Sequence, residues 1–122
     1  MLKVIEIAFT GYPVTDMKRA RAFYENTLGL KPTQDFEGKW IEYDVGPSTI
    51  AITSMAVAWK PSSDGPSVAL EVENFDEAIS ALRAAKVKFA LEPMDSPVCR
   101  LAVINDPDGN AIAIHKRAPH QH

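Results

Sequence analysis

Shifted against itself by 58 residues, the chain pairs Val14 with Val72, Asp16 with Asn74, Met17 with Phe75 and Ala20 with Ala78. A weak internal repeat of this kind means that one supersecondary unit occurs twice, so each half must fold by the same rules as the other. With 122 residues there is room for two such units inside one domain, and none for a second domain. Each half reads as a strand, a helix and then further strands, which predicts an α+β fold. Two curved sheets with helices on their outer faces would enclose a concave space.

In the first half, Ile5-Glu6-Ile7-Ala8-Phe9 reads as a short strand. Asp16 then caps a helix whose apolar residues Ala20, Phe23, Tyr24, Thr27 and Leu28 recur at three and four, and Gly29 stops it. Trp40 to Val45 and Thr49 to Thr53 alternate with period two around Gly46-Pro47-Ser48, a β-hairpin pattern. Residues 54–66, with Pro61, Ser62, Ser63, Asp64, Gly65 and Pro66, form a connector. The second half opens with a strand from Ser67 to Val72. Asn74 with Glu77 three residues later is a capping-box pattern, followed by Phe75, Ala78, Ile79, Leu82 and Ala85 at helical period. Val98–Ile104 and Ala111–His115 form strands around the Asp106-Pro107-Asp108-Gly109 turn, in which Pro107 suits the first corner and Gly109 the left-handed position. The modules thus run from about 1 to 56 and 66 to 117. The polar stretch from Lys116 is expected to fray, with 118–122 as a tail.

Composition narrows the partners. The formal net charge of −3 gives no basic excess for phosphate backbones, which argues against nucleic acid and for a small-molecule ligand. Every apolar stretch is broken by charge, Pro or Gly before membrane-spanning length, and the first residues are not a secretory signal. The expected setting is the cytoplasm, without a membrane partner. The single cysteine, Cys99, makes no internal disulfide and there is no Cys-x-x-Cys zinc pattern, so hydrophobic burial must hold the fold.

Pro13-Val14-Thr15-Asp16-Met17, then Ala22-Phe23-Tyr24 and Leu28-Gly29-Leu30, together with Asp106-Pro107-Asp108-Gly109-Asn110, resemble the vicinal oxygen chelate superfamily. That group includes glyoxalase I, extradiol dioxygenases, methylmalonyl-CoA epimerase and the bleomycin-resistance proteins. The resemblance runs from about Ile5 to Lys116. It implies paired βαβββ modules, commonly assembled as a homodimer, with a cup-shaped site. It also implies that metal-dependent members carry His or Glu at four inward positions, which map here to Phe9, Ala51, Ser67 and Ala113. None of these is a normal metal ligand, since Phe and Ala offer no lone pair and a Ser hydroxyl is a poor donor. No metal or other cofactor is therefore expected, and one fold hosts unrelated chemistries.

Alternation gives a separate reading of the inward face, because bulky apolar residues must pack on the helices. Ile41, Tyr43, Val45, Ile50, Ile52, Val68, Leu70, Val72, Leu101, Val103, Ile112 and Ile114 are assigned to the helix side. The cup face then receives Trp40, Glu42 and Asp44; Thr49, Ala51 and Thr53; Ser67, Ala69 and Glu71; Arg100, Ala102 and Ile104; and Ala111, Ala113 and His115. A simple hairpin at Asp106–Gly109 would set Arg100 opposite His115 and Ala102 opposite Ala113. A guanidinium beside an imidazole suits an anionic or polar ligand, and the plainer alternative is a structural ion pair of Arg100 with Glu71 or Glu42.

The candidate ligand-binding residues are therefore Phe9, Trp40, Glu42, Ser67, Arg100 and His115, with the aromatics contacting a planar group. The competing reading is an enzyme: a lyase, isomerase or dioxygenase with a relocated metal set of Glu42, Glu71 and His115, or an acid–base catalyst using His115 and Glu42. A third is a structural dimer with a collapsed cup. Cys99 is assigned by parity to the helix side as a small buried hydrophobe. Trp59 lies in the connector, where it would cover the cup or a dimer contact. His120 and His122 lie in the tail, and Asp106 and Asp108 are explained by turn chemistry.

Overall fold

The parallel pairing of a first strand with a last one organises both halves of the computed structural model, which describes residues 1, 3, 5–55, 60–65, 67–97 and 99–118. The chain divides into two units, Met1–Pro61 and Ser62–His122.

In the first unit β1 (Thr10–Pro13), β2 (Pro32–Phe36), β3 (Trp40–Val45) and β4 (Ser48–Thr53) form a sheet of order β1-β4-β3-β2. The expected strand at Ile5–Phe9 is corrected: the ladder to β4 joins Thr10 to Ile50 and ends with Pro13 on Thr53, so residues 5–9 precede the sheet. Ile5 and Ile7 accordingly stand exposed at 81% and 83%. β4 extends only Ser48 and Thr49 past the Thr10–Ile50 rung, so most of the 5–9 segment has no neighbouring strand to pair with. Helix α1 (Met17–Arg21) begins where expected, the Asp16 carboxylate accepting the Arg19 N–H at 3.0 Å. It continues as a π-helical segment, Ala22–Thr27, in which the Leu28 N–H donates to the Phe23 carbonyl. Gly29, at φ 74°, ends it. Tyr24 stacks on Tyr43 with centroids 6.1 Å apart. That contact fixes the face: Tyr12, Ile41, Tyr43, Ile50 and Ile52, all buried, lie on the helix side as the alternation predicts.

In the second unit β5 (Val68–Glu71), β6 (Phe89–Asp95), β7 (Cys99–Asn105) and β8 (Ala111–Arg117) repeat the plan in the order β5-β8-β7-β6. Helix α2 (Phe75–Ala84) carries the expected cap, Asn74 Oδ1 accepting the Glu77 N–H at 3.0 Å, and buries Phe75, Ile79 and Leu82. β8 runs through Lys116 and Arg117, which are paired with Arg100 and Cys99, so the first two residues of the stretch expected to fray are part of the sheet.

Two elements lack a periodic signature and were missed by alternation alone: β2, exposed at every position, and β6, whose pairing slips twice along β7. Both are edge strands, where one-sided burial writes little pattern into the sequence. Together the two units are βαβββ modules.

Candidate functional site

On the face of the first sheet turned away from the helix, alternation sets Trp40, Glu42 and Asp44 on β3 opposite Thr53, Ala51 and Thr49 on β4. The Trp40 Nε1–H donates to Glu42 Oε2 at 2.8 Å, a pairing that period-two spacing on one strand makes natural. Phe9, immediately before β1, meets the Trp40 ring edge to face with centroids 5.1 Å apart at 86°. Phe9 keeps 39% of its surface, and Trp40 and Glu42 are half-buried. Three of the sequence-predicted residues therefore form one cluster: two crossed aromatic rings with a carboxylate pinned beside them. Among the described residues Glu42 Oε1 has no hydrogen-bond partner, so that oxygen remains an acceptor for a donor from outside.

The second sheet treats its predicted residues differently. His115 stands opposite Glu71 across β5 and β8, and its Nδ1 lies 2.6 Å from Glu71 Oε1. The other Glu71 oxygen accepts the Arg117 N–H at 2.9 Å. Burial alone would push the Glu71 carboxyl up, but the Arg117 N–H and then His115 hold it below its ordinary value, so it stays ionised. A carboxylate on Nδ1 fixes the imidazole and leaves Nε2 to hydrogen-bond or to move a proton. Ser67, just before β5, is exposed and directs its hydroxyl to the Ala111 carbonyl at 2.9 Å, which spends its donor on backbone.

Arg100 is the correction. The ladder sets Leu101, not Arg100, opposite His115, and Ala102 opposite Ile114 rather than Ala113. Ala102 and Ile104 therefore lie with Ile112 and Ile114 on the helix side, all buried, while Leu101, Val103 and Cys99 turn to the other face with Ala113 and His115. The cause is the turn. Asp106 accepts the N–H groups of Asp108 and Asn110 and the Asn110 side-chain amide, each at 2.9 Å, which draws Asn110 into the loop and makes it five residues long, Asn105 pairing with Ala111. One extra loop residue exchanges the faces of the whole strand. Arg100 consequently lies over the Phe75 ring at 4.6 Å and bonds Asp95 at 2.8 Å and Asp76 at 3.1 Å. It is a structural ion pair, though with neither of the partners expected. Cys99, assigned to the helix side, is likewise on the opposite face and half-buried.

The four positions that the resemblance assigns to metal ligands remain Phe9, Ala51, Ser67 and Ala113, with Ala51 on β4 and Ala113 on β8. This donor set does not fit a divalent cation: three members have no side-chain lone pair, and the Ser67 hydroxyl is engaged by a backbone carbonyl. Among the described residues no group of three or more His, Cys, Asp and Glu side chains is placed to hold a metal ion. In the relocated set, Glu71 meets His115 while Glu42 bonds Trp40. Trp59, His120 and His122 lie outside the described residues.

The family model of the Glyoxalase/Bleomycin resistance protein/Dioxygenase superfamily matches residues 6–114. Among solved structures, a glyoxalase/dioxygenase from Nostoc punctiforme is 19% identical with a TM-score of 0.80, covering 97% of this chain and 99% of its own. TnmS3, an antibiotic-binding protein from Streptomyces sp. CB03234, is 23% identical with a TM-score of 0.75, covering 97% and 100%. The lactoylglutathione lyase of Agrobacterium tumefaciens is 17% identical with a TM-score of 0.73, covering 91% and 92%. These likenesses show a shared fold. A comparison with curated protein sequences finds no match.

Proposed function

The chain belongs to the Glyoxalase/Bleomycin resistance protein/Dioxygenase superfamily, and from that premise we propose that it is a binding protein for a small polar-aromatic molecule, working without the divalent metal of its metal-dependent relatives. The observation that carries this reading is the Phe9–Trp40–Glu42 cluster on the open face of the first sheet. Crossed aromatic rings give a planar ligand an apolar contact, and the free Glu42 oxygen selects ligands that bring an N–H or O–H. The ion-paired Arg100 leaves a purely anionic ligand without its expected anchor, so the preference moves toward donors and cations. The fold shared with an antibiotic-binding protein supports the binding role. On the second sheet, taken by itself, His115 oriented by Glu71 offers a polar group on the open face, and Ser67 stands just before β5. The protein acts as a homodimer in the cytoplasm.

Calorimetric titration with 9-aminoacridine, a planar cation bearing N–H donors, tests the reading, with 2-naphthoate as its planar anionic counterpart. The amine is expected to bind saturably and the acid far more weakly. Trp40→Ala should abolish binding, and Glu42→Gln should weaken it about tenfold, the ratio for loss of one charge-assisted hydrogen bond. Equal affinity in the Trp40→Ala protein, or a preference for the acid, would overturn it.

A further inference from the structure

We propose that the edge strand β2 completes the site on the first sheet and that its Gln34 and Phe36 select planar amidine-type cations, a selection that rests on the reading above and narrows its ligand class. Two N–H groups of such a cation meet Glu42 and Gln34 together. The ladder supplies the placement: Gln34 stands directly opposite Glu42 and Phe36 directly opposite Trp40, with Asp35 opposite Ile41 between them. Ile41 is buried on the helix side, and the Asp35 carboxylate meets Arg21 of α1 at 3.3 Å, so Asp35 takes that side as well. Gln34 and Phe36 therefore share the open face with Trp40 and Glu42. Alternation alone did not mark them, because β2 is exposed at every position.

Directly opposed side chains on neighbouring antiparallel strands have Cβ atoms about 5 Å apart, within reach of a single ligand group. Glu42 brings one uncommitted carboxylate oxygen, since its other oxygen accepts the Trp40 indole N–H. Among the described residues the Gln34 amide has no hydrogen-bond partner, so its carbonyl oxygen is a second acceptor from the next strand. Two acceptors side by side match a fork of two N–H donors, and an amidinium carries that fork on a rigid plane with a full positive charge. A primary ammonium is a compact point charge with its donors splayed, so it engages Glu42 and gains less from Gln34. The charge on the face agrees: Glu42 and Asp44 both stand on it, and no strand residue there is basic. A neutral lactam forgoes that attraction, and a carboxylate is repelled. Phe36, 52% exposed, adds a third ring opposite Trp40 in the ladder, and the face of an aromatic ring attracts a cation laid over it.

Calorimetric titration of the full-length protein with 2-naphthamidine, 2-(aminomethyl)naphthalene and 9-aminoacridine tests this. The first two share ring and charge and differ in the fork, while 9-aminoacridine has its ring N–H on the edge opposite its amino group. The wild type should bind the amidine about fivefold more tightly than the aminomethyl compound, the ratio for one added hydrogen bond at a partly exposed site. Gln34→Leu should erase this ratio and leave 9-aminoacridine unchanged, whereas Gln34→Glu, which keeps an acceptor oxygen, should retain it. Phe36→Ala should weaken all three ligands alike. The proposal fails if the amidine has no advantage, if the advantage survives Gln34→Leu or is lost in Gln34→Glu, or if Phe36→Ala binds as the wild type does, in proteins of unaltered circular dichroism. The reading above fails separately, by 9-aminoacridine not binding or by its binding surviving Trp40→Ala.

Discussion

At the scale of single residues, the most consequential polar contact in the core is the one between Tyr43 and Glu25. Tyr43 is fully buried, and its hydroxyl donates to Glu25 Oε2 at 2.9 Å, an oxygen that also takes the Arg21 Nε–H at 2.6 Å. The π-helical segment makes this possible, because Glu25 sits in the wide turn that carries Tyr24 onto the sheet. Burial, and after it the Glu25 carboxylate, push the Tyr43 phenol well above its ordinary value of 10.0. Above about pH 10 the unfolded chain releases this proton while the folded one keeps it, so the folded state binds more protons and stability must fall as pH rises. Tyr43→Phe is expected to lose about 2 kcal/mol at neutral pH, the worth of a buried hydrogen bond to a charged acceptor. It should also lose less stability than the wild type between neutral pH and pH 11, because the group that titrates is gone. Urea unfolding of both proteins at the two pH values checks this; parallel declines would show that Tyr43 does not carry the alkaline loss.

At the scale of elements, the loop from Asp106 to Asn110 determines which residues of β7 reach the open face. Asp106 is 4% exposed and accepts three hydrogen bonds from within the loop, while its own N–H donates to the Asn110 carbonyl. Asp106→Ala removes all three side-chain contacts and leaves buried N–H donors unpaired, so a loss of about 2 to 4 kcal/mol in denaturant unfolding is expected. An unchanged unfolding midpoint would mean that the loop is held by other contacts. This element also shows where sequence reading stops. Asp16, Asn74 and Gly29 announced their helix ends because caps use fixed local chemistry, and β3 and β4 announced their faces because apolar and polar residues alternate cleanly. Trp40 beside Glu42 was legible for the same reason. Along β7, Cys99 to Ile104 offers apolar residues on both faces, so the pattern could not choose between them. The choice fell to loop length, which depends on whether Asp106 bonds Gly109 alone or captures Asn110 as well. Arg100 was misplaced by that one residue, and the Glu71–His115 contact was obscured with it, although both residues were on the face expected.

At the scale of the whole molecule, the repeat seen in the sequence is a repeat of topology. The 58-residue offset carries Thr10–Pro13 onto Val68–Glu71 and Met17 onto Phe75, the starts of matching strands and helices. It holds through the strand–helix opening of each module and drifts afterwards, where edge strands and turns differ in length. The four positions that the resemblance assigns to metal ligands hold Phe9, Ala51, Ser67 and Ala113, of which only Ser67 carries a side-chain donor atom. Binding of divalent metal by this frame requires imidazole or carboxylate at those sites, and supplying the ion in solution cannot compensate for absent lone pairs. Gently purified protein is therefore expected to carry iron, zinc, manganese and nickel far below one atom per chain by plasma mass spectrometry. Its content and its melting temperature should not change on treatment with a chelator, since a ligand bound only to the folded state would raise that temperature and its removal would lower it. Glu71→Gln and His115→Ala extend the test, because this pair is the nearest approach to a ligand set on the second sheet. Stoichiometric metal that disappears in either variant would make the imidazole–carboxylate pair part of a rearranged metal centre. Background metal in all three proteins would leave the aromatic cluster and its carboxylate as the chemistry on which this chain depends.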